Sequence, residues 1–221
     1  MTHSAQTGFG DLEDWYAQSL GRRYLSRCWE VIAPLLVPLA EQEVLDAGCG
    51  AGHYSELLAQ GGALVQGTDT DVQLLERARR RVPAGRFRAA SINALPYADE
   101  SFDTVLCCNV LEFVPDPAGA LRELRRVARD RGVICVLNRD SPWGWQQQFA
   151  RPFTDHPYYQ GQFFDRERLK TLALASGWQV EQIRGTVFFP PVPVEFFLDW
   201  LENLPWLETP GGCWVASLRR C

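Results

Sequence analysis

The stretch that most constrains this chain is residues 43–54, Glu-Val-Leu-Asp-Ala-Gly-Cys-Gly-Ala-Gly-His-Tyr. Val44 and Leu45 begin a short apolar run that reads as a buried strand, and Asp46 closes it. Gly48, Gly50 and Gly52 then recur at every second position, and Ser55-Glu56-Leu57-Leu58 opens a helical pattern. Strand, glycine turn and helix in that order make the first unit of a doubly wound α/β sheet. Glycine takes positive φ without steric cost and has no Cβ, so a ligand can lie against bare backbone. A ligand is therefore expected above the carboxyl end of this first strand.

The same pattern narrows the ligand. A G-x-G-x-x-G dinucleotide fingerprint would put its third glycine at position 53, where the chain has His53, and the additional glycine falls one residue earlier, at Gly52. No Gly-Lys-Ser/Thr follows, which excludes a P-loop. Asp46 at the mouth of the turn would repel a pyrophosphate and suits a ligand with positive charge, such as the sulfonium and ammonium of S-adenosylmethionine. The run Val44-Leu45-Asp46-Ala47-Gly48-Cys49-Gly50-Ala51-Gly52 resembles the first motif of the class I S-adenosylmethionine-dependent methyltransferases. Within that family it is most similar to the methyltransferase type 11-like group that includes quinone and biotin-pathway enzymes. The resemblance implies a Rossmann-like, doubly wound, seven-stranded sheet, mostly parallel with an antiparallel last strand, and helices on both faces.

Periodicity carries the pattern onward. Ala63 to Asp69 reads as a second strand, Val72 to Val82 as an amphipathic helix capped by Asp71, and Arg86 to Ala90 as a third strand. Thr104 to Cys108 is a continuous apolar run, hence a strand buried on both faces. Ala118 to Ala128 reads as a helix, Arg131-Gly132 as a turn and Val133 to Asn138 as a fifth strand. Such alternation implies a parallel sheet. Asp69, about 20 residues beyond the glycine turn, is placed to accept both ribose hydroxyls of an adenosyl group.

The resemblance covers residues 43–140 and assigns further roles there. It puts Asp46, Gly48, Cys49 and Gly50 at the cofactor turn, Asp69 and Thr70 at the ribose and adenosine, and Asn109 beneath the methionine part. The family usually has Asp at the place of Ser91; here the Ser91 hydroxyl, the Asn93 amide or the Ile92 backbone would meet the adenine. Many relatives have His where this chain has Glu112, which reads either as an exposed loop acid or as an acceptor near the substrate.

The flanks complete a single domain over residues 1–221: a helical cover at 1–40, the core at 43–140, an aromatic insertion at 141–164 and helix–strand elements at 165–221. Asp11 to Leu39 reads as helical, broken or ended by Pro34 and Pro38. Trp15-Tyr16 followed by Gly21-Arg22 resembles an N-terminal pattern in part of the family, in which Arg22 would pair with the cofactor carboxylate and Tyr16 would close over it. Each is equally well read as a helix residue packed on the sheet. Residues 141–164 crowd aromatics without a clean period, which suggests a lid or binding wall. Asp165 caps a helix from Arg166 to Ser176, Trp178 to Phe189 reads as a strand and Val194 to Leu204 as a short helix. Cys213 to Leu218 is a last strand, which in the resembled fold inserts beside the fifth.

The implied activity is transfer of a methyl group by in-line displacement to a small, hydrophobic or aromatic acceptor. His156, one of three histidines, is a candidate base with Tyr158 and Tyr159 beside it, and Glu112 is a second candidate. A cofactor-binding protein without turnover and a nicotinamide-dependent oxidoreductase are the alternatives. A net charge of −5 argues against a nucleic-acid partner. The seven cysteines show no CxxC pair and no zinc-like spacing, so no metal site is expected; buried thiols in a reducing, cytoplasmic setting are. Residues 1–14 lack the apolar core of a signal peptide, and no apolar run reaches membrane length, so no membrane span is expected.

Overall fold

The computed structural model describes residues 15–153, 160–187 and 211–220. In chain order these form α1 (Ser19–Leu36), β1 (Glu43–Ala47), α2 (His53–Gln60), β2 (Leu64–Asp69), α3 (Val72–Arg81), β3 (Arg86–Ala89) and β4 (Phe102–Cys108). Then follow α4 (Pro117–Val127), β5 (Ala128–Leu137), α5 (Pro142–Ala150), α6 (Arg166–Ala175), β6 (Trp178–Thr186) and β7 (Cys213–Arg220). The seven strands make one sheet in the order β3-β2-β1-β4-β5-β7-β6. Strands β1 to β5 run parallel, and β7 is antiparallel to both of its neighbours, β5 and β6. This is the Rossmann-like α/β sheet that the sequence pattern implies.

Burial explains why these runs are strands. Val105, Leu106 and Cys107 of β4 and Val133 to Val136 of β5 are all fully buried, as strands covered on both faces must be. Alternate residues feed two cores. Val44, Leu106, Cys108, Val133, Cys135 and Val215 pack beneath α1, which presents Tyr24, Cys28, Ile32 and Leu36 at four-residue spacing. Leu45, Val105, Cys107, Ile134 and Val136 pack on the opposite face with α4 and α6.

Several local expectations are corrected. α1 runs through Pro34 to Leu36. The proline removes only one bond close to the helix end, and the burial of Ile32 and Leu36 holds that turn in place. Arg131 and Gly132 are not a turn: they pair with Thr104 and Val105 on one side and with Arg219 and Leu218 on the other. Glycine at 132 leaves room for the Trp178 ring, which would have to shift by a few tenths of an ångström for a Cβ at 3.0 Å. The aromatic stretch after residue 140 contains a helix, α5, whose N-cap Ser141 accepts from the Gly144 N–H. Phe163 and Phe164 from the same stretch are buried core. The helix expected over 194–204 and the strand expected beyond residue 187 lie outside the described residues, as do residues 1–14. Among the described residues no helix is long and apolar enough to cross a membrane.

Candidate functional site

The order β3-β2-β1-β4 brings four carboxyl strand ends side by side, and the direction of winding reverses between β1 and β4. Ligands of open α/β sheets bind at that switch point. The glycine turn sits directly above it. Gly48, Gly50 and Gly52 have φ values of 76°, 51° and 82°, all in the left-handed region that only glycine enters freely. The N–H groups of Gly48 and Cys49 donate to the Thr68 carbonyl at 2.7 and 2.9 Å, which staples the turn to β2. A Cβ at Gly48 would lie 2.3 Å from Val110, and one at Gly52 would lie 3.0 Å from Ala78 on α3. A Cβ at Gly50 would meet nothing within 4 Å, so this part of the backbone faces open space.

Asp69 closes the opposite side of the turn. Its Oδ2 accepts from the Gly50 N–H at 2.8 Å and its Oδ1 from the Asp71 N–H at 2.9 Å. A carboxylate offers about four lone-pair sites, so capacity remains for donors arriving from the open side. Burial raises its pKa above the ordinary value, and the backbone donors oppose that rise. Asp71 is the N-cap of α3, accepting from Gln73 and Leu74, which leaves Asp69 for the ligand side.

Asp46 stands elsewhere than expected. It is 2% exposed and lies under the turn, not at its mouth, where its Oδ2 accepts from the Ser55 hydroxyl at 2.6 Å. Burial pushes its pKa up to about 7, the Ser55 bond offsets part of this, and the nearby Asp69 charge adds to it. Cys49 points down as well, into a small apolar cluster with Leu75, Ala78, Val82 and Phe87. At the end of β4, Asn109 takes φ 55°, and its N–H donates to the Cys135 carbonyl at 2.8 Å. Its Nδ2 donates to the Tyr24 hydroxyl, while its buried Oδ1 has no partner among the described residues.

Aromatic rings form one wall. Tyr16 lies 4.6 Å from the His53 ring and is thereby brought to the glycine turn. Trp15 meets Tyr16 and Tyr24 edge-on at 5.1 and 5.3 Å, and Trp143 from α5 stacks on Tyr24 at 5.8 Å. Sequence reasoning did not single out Tyr24. Its signal was the four-residue ladder of α1, but only the packing shows that its hydroxyl reaches Asn109.

Other expected residues are not gathered in the same way. Arg22 is exposed and donates to the Ala17 carbonyl near the start of its own helix. Thr70 and Ser91 are exposed at the rim, and the Ser91 hydroxyl accepts from the Asn93 N–H at 3.2 Å. The Asn93 amide donates to the Asp116 carbonyl at 2.7 Å, which ties this loop to the start of α4, and Ile92 is buried. Glu112 is not an exposed loop acid: it is 2% exposed, and its Oε1 accepts from the Leu137 N–H at the end of β5. Its Oε2 has no partner among the described residues, and burial pushes its pKa up to about 7. His156, Tyr158 and Tyr159 lie outside the described residues.

Residues 45–136 match a family model described as a methyltransferase domain. An uncharacterized protein of Mycobacterium tuberculosis is 34% identical over 169 residues, covering 71% of this chain and 56% of that protein. The chain thus spans little more than half the length of that curated relative. A solved S-adenosylmethionine-dependent methyltransferase of Thermotoga maritima superimposes with a TM-score of 0.76 at 22% identity, covering 96% of this chain and 95% of the other. The magnesium protoporphyrin IX methyltransferase of Synechocystis, solved with bound SAH, gives a TM-score of 0.72 at 19% identity, covering 98% and 95%. The two structures establish likeness of fold over nearly the full length.

Proposed function

We infer that this chain belongs to the class I S-adenosylmethionine-dependent methyltransferases, on its seven-stranded sheet, its glycine turn and the match of residues 45–136 to the methyltransferase domain. The observation that carries the reading is the open backbone at Gly50 facing a carboxylate, Asp69, that is fixed by two backbone N–H groups and still able to accept. An acid at the end of the second strand serves the ribose of an adenosyl ligand and of a nicotinamide dinucleotide alike; the dinucleotide is disfavoured because His53 stands where its fingerprint requires a third glycine.

S-adenosylmethionine, when bound, supplies a methyl group on a sulfonium, from which an acceptor takes the methyl while the sulfur keeps the bonding electron pair. Asp69 would accept from the ribose, and the bare backbone of Gly48 and Gly50 would let the ligand approach. The partnerless Oδ1 of Asn109 would accept from the ammonium. Tyr16, Trp15 and Trp143 would exclude water and face positive charge with their rings. Positioning of this kind alone supplies several kcal/mol toward displacement.

The acceptor we propose is a small hydrophobic or aromatic molecule. Trp145, Phe149 and Phe153, on α5 and the turn after it, are 59%, 79% and 88% exposed, and Trp145 and Phe149 share one face of the helix at four-residue spacing. A run of exposed rings on a surface marks an apolar binding face. Where the acceptor arrives protonated, His156 and Glu112 remain the candidate bases, and the burial of Glu112 makes it a positioning group unless the β4–β5 ends open. Binding of the cofactor without turnover is the second reading, favoured by the half-buried place of His53, the histidine at the turn, against the Tyr16 ring.

Titration calorimetry of the wild type with S-adenosylmethionine, S-adenosylhomocysteine and NADH, repeated on Asp69→Asn, tests this. The adenosyl ligands should bind and NADH should not, and the substitution should weaken binding by about 100-fold, the loss of two hydrogen bonds to a charged group. Binding of NADH alone, or adenosyl binding indifferent to Asp69, would overturn the site. Product formation with a panel of apolar phenols, thiols and carboxylates would separate turnover from binding.

A further inference from the structure

We propose that Cys28, Cys135 and Cys213 form a buried binding site for a thiophilic d10 cation, Zn2+ or Cu+, distinct from the cleft above the glycine turn. Their Sγ atoms all lie within 4.8 Å of one another, and each residue is fully buried. They come from α1, β5 and β7, so their spacing along the chain carries no zinc-like signature and the cluster exists only in the fold. In the β5–β7 ladder Cys135 pairs with Val215 and Leu137 with Cys213, which sets the two thiols two positions apart on one face. α1 lays Cys28 over that face.

The donor set decides the chemistry. Three sulfurs with no carboxylate or imidazole in the group select soft ions such as Cu+ and Zn2+ over Mg2+, Ca2+ or Mn2+. A zinc ion with sulfur ligands at about 2.3 Å holds those sulfurs about 3.8–4.0 Å apart. The thiols stand within 4.8 Å of one another, so closing to that spacing asks for movements of no more than about 1 Å. Tyr24 lies one helical turn before Cys28, and its hydroxyl is 3.0 Å from the Cys213 sulfur. A phenol O–H placed there donates to a thiolate, which steadies the ligating form. The surrounding residues include Ile32, Val133 and Val215, so the positive charge that the thiolates require would come from the ion. Each thiol that ligates gives its proton to solvent; uptake therefore releases protons and strengthens as pH rises. The full burial of the three thiols means that the ion enters during folding or when α1 opens.

The test uses the full chain, reduced, stripped with a chelator and then unfolded and refolded without oxygen in the presence of equimolar Zn2+ or, separately, Cu+. Bound metal is counted after removal of free ions, and X-ray absorption reads the ligand shell in the wild type. One ion per chain with three sulfur neighbours, at about 2.3 Å for zinc, is the expected result. Cys28→Ala and Cys213→Ser should each lower bound metal about tenfold, whereas Cys107→Ala, on the opposite face of β4, should retain it. Refolded wild type that holds no ion, a shell of oxygen and nitrogen, or retention of the ion in both Cys28→Ala and Cys213→Ser would overturn the proposal. The wild-type spectrum decides even where a variant fails to fold.

Discussion

Two buried carboxyls, Asp46 and Glu112, tie the stability of the fold to pH. Asp46 and Glu112 are both held near pH 7 by burial, against about 4 for the exposed group. The folded state keeps a proton that the unfolded chain has released. The stability each contributes is therefore complete below about pH 4 and is lost as pH rises through about 7. Asp46→Asn and Glu112→Gln keep an acceptor for Ser55 and for the Leu137 N–H, respectively. Each should flatten the loss of stability between pH 5 and pH 8 by on the order of 2 kcal/mol, read by urea unfolding at both pH values. An unchanged slope in both variants would show that these groups are ionised in the folded protein. Gly48 is the second sensitive position. At φ 76°, with Val110 2.3 Å from the place of a Cβ, Gly48→Ala should cost about 2 kcal/mol or more and weaken adenosyl binding together with it.

Among the elements, α1 connects the core to the site. Its buried ladder of Tyr24, Cys28, Ile32 and Leu36 seats the helix on β5 and β7, and the same seating delivers the Tyr24 hydroxyl to Asn109. Ile32→Ala should cost about 2–5 kcal/mol by leaving a cavity. Tyr24→Phe keeps the ring packing and removes only the hydroxyl. Its stability should fall by about 1 kcal/mol, while affinity for S-adenosylhomocysteine falls several-fold because Asn109 loses its anchor. If stability falls and affinity does not, Tyr24 serves the fold alone. At the other end of the sheet, the Trp178 indole N–H donates to the Leu121 carbonyl at 2.9 Å while the ring covers Gly132, so one side chain fastens β6, α4 and β5 together.

At the scale of the whole molecule, the sheet order turns four separate strand ends into one cleft, with the glycine turn at the point where the winding reverses. A ligand held there binds only the folded state. S-adenosylhomocysteine at 100 times its Kd should therefore add about 3 kcal/mol, which raises Tm by roughly 5–10 °C for a chain of this size. NADH at equal concentration should leave Tm where it is. Calorimetric melting with both ligands checks this, and a shift with NADH alone would contradict the adenosyl reading.

What the sequence determined by itself was everything encoded locally. Apolar runs and the 3.6-residue period marked the strands and helices through residue 137 except the first half of β5, the alternate glycines marked the turn, and Asp71 and Asp165 marked their helix starts. Asp69 at the end of β2 was legible too, because its place depends on one strand–turn–helix unit and its neighbour. What depended on contacts between distant elements was not. The depth of Asp46 beneath the turn, the burial of Glu112 against β5, the bond from Tyr24 to Asn109 and the meeting of Cys28, Cys135 and Cys213 all follow from strand register and helix seating. Local periodicity says which face a residue occupies. Only the tertiary packing says what the opposing surface brings to it.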